Sequence, residues 1–360
     1  MRIVVNDIAA SAGGALTVLE SFFRYVRESD TENEWVFLLG SDLLEETDRI
    51  RTVVLPEVKG SWSRRLAFDL VSGRRLIRSL KPDVVFSLQN THTYGVRCPQ
   101  VVYVHQPLPF QQAKNFSLWR RDERYMAVYQ HIIGSMIKQS VRRADHVIVQ
   151  TRWMRAAILN QVGIAKDRVE AILPDLEDLS AYKYQGDLDA GAFFYPTASN
   201  IYKNNDCIYE ACRLLRQQGL DDFMVTMTLD GPAAGPNVEF IGRVPREQVL
   251  ESLSRSTLVF PSYIETYGLP LAEARALGAV VLAADLPYAR EVLDGYDNAY
   301  FFDPASPALL AELMSKVIAG SIVRIPNGGD AGAPHRPPQT PAWASVVEIL
   351  EHSAQPKEGD

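Results

Sequence analysis

PSYIETYGLPLAEARALG, residues Pro261 to Gly278, is the stretch from which the fold is read. Two carboxylates, Glu265 and Glu273, stand eight positions apart, with Tyr267-Gly268-Leu269-Pro270 between them. Pro270 suits the first turn of a helix, where its missing N–H costs nothing, and Gly278 suits the position just past the helix end. The spacing therefore predicts a loop carrying Glu265 and Gly268, then a short helix with Glu273 about one turn inside it. A helix start offers unpaired N–H groups and a positive dipole end, which together hold phosphate. Gly268 has no Cβ and lets a ligand approach the backbone. Two carboxylates would repel the phosphate itself, so they read as acceptors for hydroxyls on either side of it. Sugar nucleotides are ligands of that shape.

The frame PS…E…GLP…EA…G resembles the E-x7-E signature of retaining GT-B glycosyltransferases, in the large family 4 group that builds bacterial surface glycans. The resemblance implies that Glu273 binds the nucleotide ribose and that Glu265 lies by the donor sugar. It also implies that the amides of Tyr267, Gly268 and Leu269 touch sugar and diphosphate. It extends over nearly the whole chain and implies an α/β GT-B fold, two Rossmann-like domains facing across a cleft. The second would hold the nucleotide sugar, the first the acceptor, with reaction in the cleft. The expected activity is transfer from a nucleoside-diphosphate sugar to a glycan or lipid-linked acceptor, in surface polysaccharide or lipopolysaccharide assembly. Retention of configuration comes from the resemblance alone, since no residue reads as a covalent nucleophile.

A chain of 360 residues is long enough for two α/β domains. It contains no run near eighteen uninterrupted apolar residues, so no membrane span is expected. The opening MRIVVNDIAAS enters a strand at once, without a signal-peptide layout. Cys98, Cys207 and Cys212 form no C-x-x-C pair and read as small buried hydrophobes in a reducing cytoplasm. A net charge of −7 argues against nucleic acid as a partner. The charge is uneven: residues 1–180 carry 24 Lys and Arg against 21 Asp and Glu, and residues 181–360 carry 13 against 23. The halves therefore face different partners or fields.

Short β-branched runs alternate with helical patterns, the mark of parallel sheets. In the first half strands are expected at 3–5, 35–39, 53–55, 84–87, 101–104 and 146–150. In the second half they are expected at 192–195, 224–229, 238–241, 258–260, 280–283 and 300–302. The expected domains are 1–178 and 179–336, joined through the polar stretch Asp175–Gly191, with 337–360 as a C-terminal helix and tail. Ile325–Pro341, rich in Gly and Pro, reads as a surface linker. In GT-B enzymes the last helix commonly crosses back to the first domain, and a helix at about 342–352 would do so here.

Gly13-Gly14 follow the first strand and precede a helix with Leu16, Leu19, Phe23 and Val26 on its apolar face. A glycine pair there lets the backbone approach an anion, although the third glycine of G-x-G-x-x-G is absent. By resemblance this loop faces the donor diphosphate and acceptor. His105 ends the strand in VVYVHQPLPF, and the C-terminal ends of parallel strands form the ligand crevice. The resemblance places it at the donor sugar, for contact and charge stabilisation. Lys203, in FYPTASNIYKNNDCIYEA, resembles the family's phosphate-binding lysine, with Asn200 as a helper. Many members carry an arginine five residues earlier, where this chain has Ala198, which leaves Lys203 as the main cation for the diphosphate. Catalytic roles thus fall to His105, Glu265 and Lys203. Asp187-Leu188-Asp189 matches the D-x-D metal pattern of the other main glycosyltransferase fold but sits in the polar linker and reads as linker charge. No cluster has metal-site spacing, so neither metal nor cofactor is expected beyond the donor.

Two rival readings share the donor site: a GT-B-type sugar-nucleotide epimerase, and a non-catalytic partner that only binds the nucleotide sugar. The localisation expected is cytoplasmic, peripheral on the inner face of the cell membrane. Between Ser61 and Lys81 six basic residues, Arg64, Arg65, Arg74, Arg75, Arg78 and Lys81, meet one acid, Asp69. On a helix Leu66, Leu70, Ile77 and Leu80 would form one buried stripe and leave the arginines for an anionic surface, with Gly73 as the point where it would divide. Arg120, Arg121, Arg124, Lys138, Arg142 and Arg143 add charge in the next helical region.

Overall fold

The computed structural model describes residues 1–10, 13–29, 32–184, 186, 189–232, 234–325 and 341–355. The chain divides into two compact units. One takes Met1–Gln111, Tyr125–Asp175 and the C-terminal helix; the other takes Gln112–Arg124 and the chain from Leu176 up to the segment before that helix.

The first unit is built on seven parallel strands: β1 (Arg2–Asp7), β2 (Glu34–Leu39), β3 (Ile50–Val54), β4 (Val84–Ser87), β5 (Gln100–Val104), β6 (His146–Val149) and β7 (Val169–Ala171). Their order is β3-β2-β1-β4-β5-β6-β7. Near-continuous apolar runs such as IVV, VFLL and VVYV bury both faces, as a helix-covered parallel sheet requires. Ile3, Val5, Phe37 and Phe86 pack on one face with Leu19 and Phe22 of the Gly13–Glu28 helix. The C-terminal helix, Ala342–Ala354, adds Val346 and Leu350 to that core. Its Trp343 ring lies 5.0 Å from Phe22 and 5.6 Å from Tyr103, and its indole N–H donates to Ser21 Oγ at 2.9 Å. On the opposite face Val4, Ile8, Phe68 and Ile77 form a second cluster.

The basic stretch 61–81 is not one helix with one stripe. Two α-helices, Trp62–Ala67 and Gly73–Leu80, flank a π-helical turn at Phe68–Ser72. A π turn carries an extra residue, so it rotates the side chains that follow out of a 3.6-residue register. Ile77 is buried as the stripe predicts and Phe68 joins it, whereas Leu70 is 41% and Val71 58% exposed. Gly73 is required here, since a Cβ would lie 2.7 Å from the Phe68 ring and carbonyl. Arg120 and Arg121 precede the helix that begins at Arg124 rather than lying within one.

The second unit holds six parallel strands: β8 (Ala192–Tyr195), β9 (Met224–Met227), β10 (Val238–Phe240), β11 (Thr257–Phe260), β12 (Val281–Ala284) and β13 (Ala299–Phe302). Their order is β10-β9-β8-β11-β12-β13. Each expected strand has its counterpart, and β7, three residues reading VEA, is the one that periodicity does not reveal. Segment 112–124, which follows β5 in sequence, groups with this unit: the Lys114 ammonium lies 4.9 Å from the centre of the Tyr263 ring. Cys207 and Cys212 are buried free thiols, and Cys98 is half-buried. Asp187 and Leu188 of the D-x-D pattern, and 326–340 of the expected linker, lie outside the described residues.

Candidate active site

In the second sheet β8 has β9 on one side and β11 on the other, so the loops leaving β8 and β11 diverge. Such a switch point forms a crevice at the carboxyl ends of the strands. The β8 loop ends in a short 3-10 turn, Ile201–Lys203, capped by the exposed Asn200. Asn204 follows in a left-handed conformation at φ 57°, and its amide donates to the carbonyls of Pro261 at 3.1 Å and Pro304 at 2.9 Å. That side chain ties together the loops after β8, β11 and β13. Tyr195 fixes the same turn by donating its hydroxyl to the Lys203 carbonyl at 2.9 Å.

This brings Lys203 and Glu265 together. The ammonium donates to Glu265 Oε1 at 2.6 Å, and both side chains are largely buried. Ser262 Oγ donates to the same oxygen at 2.8 Å, and the Tyr288 hydroxyl donates to the Ser262 carbonyl at 2.6 Å. The carboxylate and cation expected at the donor sugar and diphosphate are therefore a preformed pair on a rigid floor.

Gly268 follows at φ 78°, which an L side chain seldom adopts, and caps the Leu269–Leu277 helix with Pro270 in its first turn. Gly278 ends that helix at φ 75°. Tyr267 is buried and Leu269 is exposed. Glu273 lies inside the helix, only 5% exposed, and burial raises its pKa. Opposing that shift, Arg246 Nη1 donates to Glu273 Oε1 at 2.6 Å. Arg246 begins the Arg246–Arg255 helix, and its Nη2 donates to Glu177 Oε2 at 3.1 Å. Sequence reasoning missed Arg246. Its one local signal is a Pro-Arg helix start, which says nothing about a carboxylate 27 residues on.

The remaining candidates lie in the first unit. Gly13 opens its helix after β1, and at Gly14 a Cβ would meet nothing within 4 Å, so the backbone there faces open space. His105 follows β5. Its N–H and that of Gln106 donate to Asn90 Oδ1 at 2.8 and 3.0 Å, which joins the loops after β4 and β5. Desolvation pushes the His105 imidazole down to about 4. It is neutral at pH 7, which suits hydrogen bonding to a ligand rather than stabilisation by a positive ring. Among the described residues no three His, Cys, Asp or Glu side chains gather as a metal site.

Residues 12–174 match the family described as Glycosyltransferase Family 4, and residues 233–324 match Glycosyl transferases group 1. The two Rossmann-like parallel sheets are those of the GT-B fold, and both matched models, each spanning less than half of the chain, describe glycosyltransferases. A curated relative, D-inositol 3-phosphate glycosyltransferase of a Nocardioides species, is 25% identical over 261 residues, 62% of this chain. The chain spans little more than half, 56%, of that relative's length. Among solved structures, Anabaena HepE in complex with UDP and glucose superposes with a TM-score of 0.67 at 16% identity, covering 99% of this chain and all of that one. The lipopolysaccharide outer core galactosyltransferase WaaB in its apo form gives 0.58 at 15% identity, covering 89% and 91%. At these identities the likeness concerns the fold.

Proposed function

We propose that this chain transfers a sugar from a nucleoside-diphosphate sugar to a glycan or lipid-linked acceptor, with retention, in surface polysaccharide or lipopolysaccharide assembly. The observation that carries this is the Lys203–Glu265 pair at the β8/β11 switch point, beside a helix whose start is built on Gly268 and whose interior holds Glu273. On this reading Glu273 accepts the ribose hydroxyls, Glu265 faces the sugar, and the amides of Tyr267, Gly268 and Leu269 meet the diphosphate. Asn200 borders the same crevice. In the first unit Gly13-Gly14 and His105 serve the diphosphate and sugar from the acceptor side. Lys203 stands where negative charge grows as the glycosidic bond breaks. One cation about 4 Å from a phosphate oxygen contributes about 4 kcal/mol at an effective dielectric near 20, and a preorganised charge needs no rearrangement in the transition state.

The complexes of the structural neighbour HepE with UDP and with UDP-glucose favour a nucleotide-sugar donor. Thermal stabilisation by UDP, GDP and ADP tests this, since a nucleotide that binds the folded state raises the melting temperature. No shift with any of them would remove the reading. Donor turnover without an acceptor would favour the epimerase instead, and binding without turnover the partner subunit.

Activity is expected to survive chelation, because on this reading Lys203 and the backbone amides at Gly13-Gly14 and Gly268-Leu269 neutralise the diphosphate. Loss of activity in EDTA, restored by Mg²⁺ or Mn²⁺, would show a metal-bridged donor instead.

We also propose that the first unit docks on an anionic membrane from the cytoplasmic side. Among the described residues no helix is long and apolar enough to cross a membrane. Leu70 and Val71 are exposed, and so are Arg64, Arg74 and Arg75, which flank them in sequence. In the same unit the Gly134–Arg143 helix adds Lys138, Arg142 and Arg143, whereas Arg120 and Arg121 belong to the 112–124 segment that groups with the second unit. Each cation near an anionic leaflet contributes on the order of 1 kcal/mol, so a few give reversible attachment. Co-sedimentation with anionic vesicles at low salt, and its loss at high salt or with neutral vesicles, is the expected result. Equal recovery in the supernatant with both lipids would remove the membrane and favour a soluble acceptor.

A further inference from the structure

We infer that Arg246 is the positioning residue for nucleotide recognition: by gripping one oxygen of Glu273 it keeps that carboxylate ionised and turned toward the hydroxyls of a nucleoside diphosphate. The inference rests on the proposed ribose role of Glu273.

The two residues come from different helices, and Arg246 is the one hydrogen-bond partner of the Glu273 side chain among the described residues. Glu273 Oε1 is taken, which leaves Oε2 for a ligand hydroxyl. The pair is lopsided: the carboxylate is buried, whereas the Arg246 side chain is 46% and the Glu177 side chain 67% exposed. A buried carboxylate without a counter-charge takes up a proton instead of remaining ionised. Burial and the nearby Glu177 both push Glu273 toward the protonated form, and Arg246 is the group that opposes them. Arg246 is itself shared: desolvation pulls its pKa down, but Glu273 and Glu177 together hold it above its usual value. The planar guanidinium spans two carboxylates at once, a geometry that an ammonium does not reproduce.

A structural role alone and a role in setting the charge of Glu273 differ in their pH dependence. If Glu273 must be ionised to bind a ribose, nucleotide affinity falls as pH drops through its pKa. Removing Arg246 moves that fall to higher pH. The test is calorimetric measurement of the Kd for UDP, with GDP and ADP alongside, from about pH 6 to about pH 8.5, each variant being compared with wild type at the same pH so that titration of the nucleotide cancels. Arg246→Met is expected to weaken binding at least about tenfold near pH 6 and less than about threefold near pH 8.5. Arg246→Lys, which keeps the charge but not the two-carboxylate geometry, should restore part of the affinity near pH 6. Glu177→Gln should act in the opposite direction and flatten the profile. A loss in Arg246→Met of the same size at every pH, or no loss, would overturn the inference. Glu273→Ala separates it from the reading beneath it. If that variant binds nucleotide normally, the ribose assignment fails; if it loses binding while Arg246→Met does not, only the role of Arg246 fails.

Discussion

Replacing Glu273 with Ala is expected to weaken nucleoside-diphosphate binding at least about tenfold and to leave the fold intact. A hydrogen bond to a charged group contributes about 1.5–3 kcal/mol, and about 1.4 kcal/mol is tenfold in affinity. The helix carrying Glu273 is held by its buried Leu271, Ala274 and Leu277 and by glycine caps at both ends, none of which the substitution touches. The freed Arg246 is nearly half exposed and keeps Glu177, so it is not stranded as an unpaired buried charge. Circular dichroism checks the fold and calorimetry the affinity. Unchanged affinity would falsify the ribose assignment.

Turnover, by contrast, is expected to depend on Glu265, Lys203 and His105. Glu265→Gln keeps the shape of the side chain but removes the charge that Lys203 and Ser262 now hold. Removing one preorganised group from a charged transition state typically costs about 10²–10³ in kcat. We expect losses of about that size for Glu265→Gln, with nucleotide affinity changed less than about threefold, and for Lys203→Ala, where loss of the diphosphate cation also weakens nucleotide binding. In Lys203→Ala the largely buried Glu265 loses its counter-ion, and in Glu265→Gln the comparably buried Lys203 loses its own, so melting should show a loss of stability in both. His105→Ala should also lower kcat. Because His105 is neutral down to about 4, the wild-type rate should show no step near pH 6.5 from this residue. The same depression makes its stability contribution complete above its unfolded pKa of about 6.5 and lost as pH falls toward 4. If Glu265→Gln and His105→Ala lose binding and turnover equally, the division of roles is wrong.

Much of the fold was legible because its signals are local. Pro270 and Gly278 bracket their helix where capping rules put them, and Gly268 takes the left-handed turn that its missing Cβ permits. Apolar runs located the strands because a parallel sheet buries both faces, whereas β7 was too short and too polar to stand out. The π turn at Phe68–Ser72 was not legible: a helix gains its extra residue through what Phe68 and Ile77 pack against, so the register of Leu70 could not be counted from periodicity. Nor was the grouping of segment 112–124 with the second unit, since nothing in its composition separates it from the strand before it.

The candidate site divides the same way. Residue identities at Glu265, Glu273, Lys203, His105 and the glycine pairs could be read in sequence, since each sits at a strand end or helix start that local patterns mark. Their partners could not. Lys203 meets Glu265 across 62 residues, and Arg246 meets Glu273 across 27 and Glu177 across 69. The first meeting follows from β8 and β11 lying side by side, an order set by how the helices between them pack on the sheet. Local chemistry determines where a strand ends and which side chain stands there. Which two strand ends become neighbours, and so which charges pair, is decided only when the helices bury their apolar faces on the sheet.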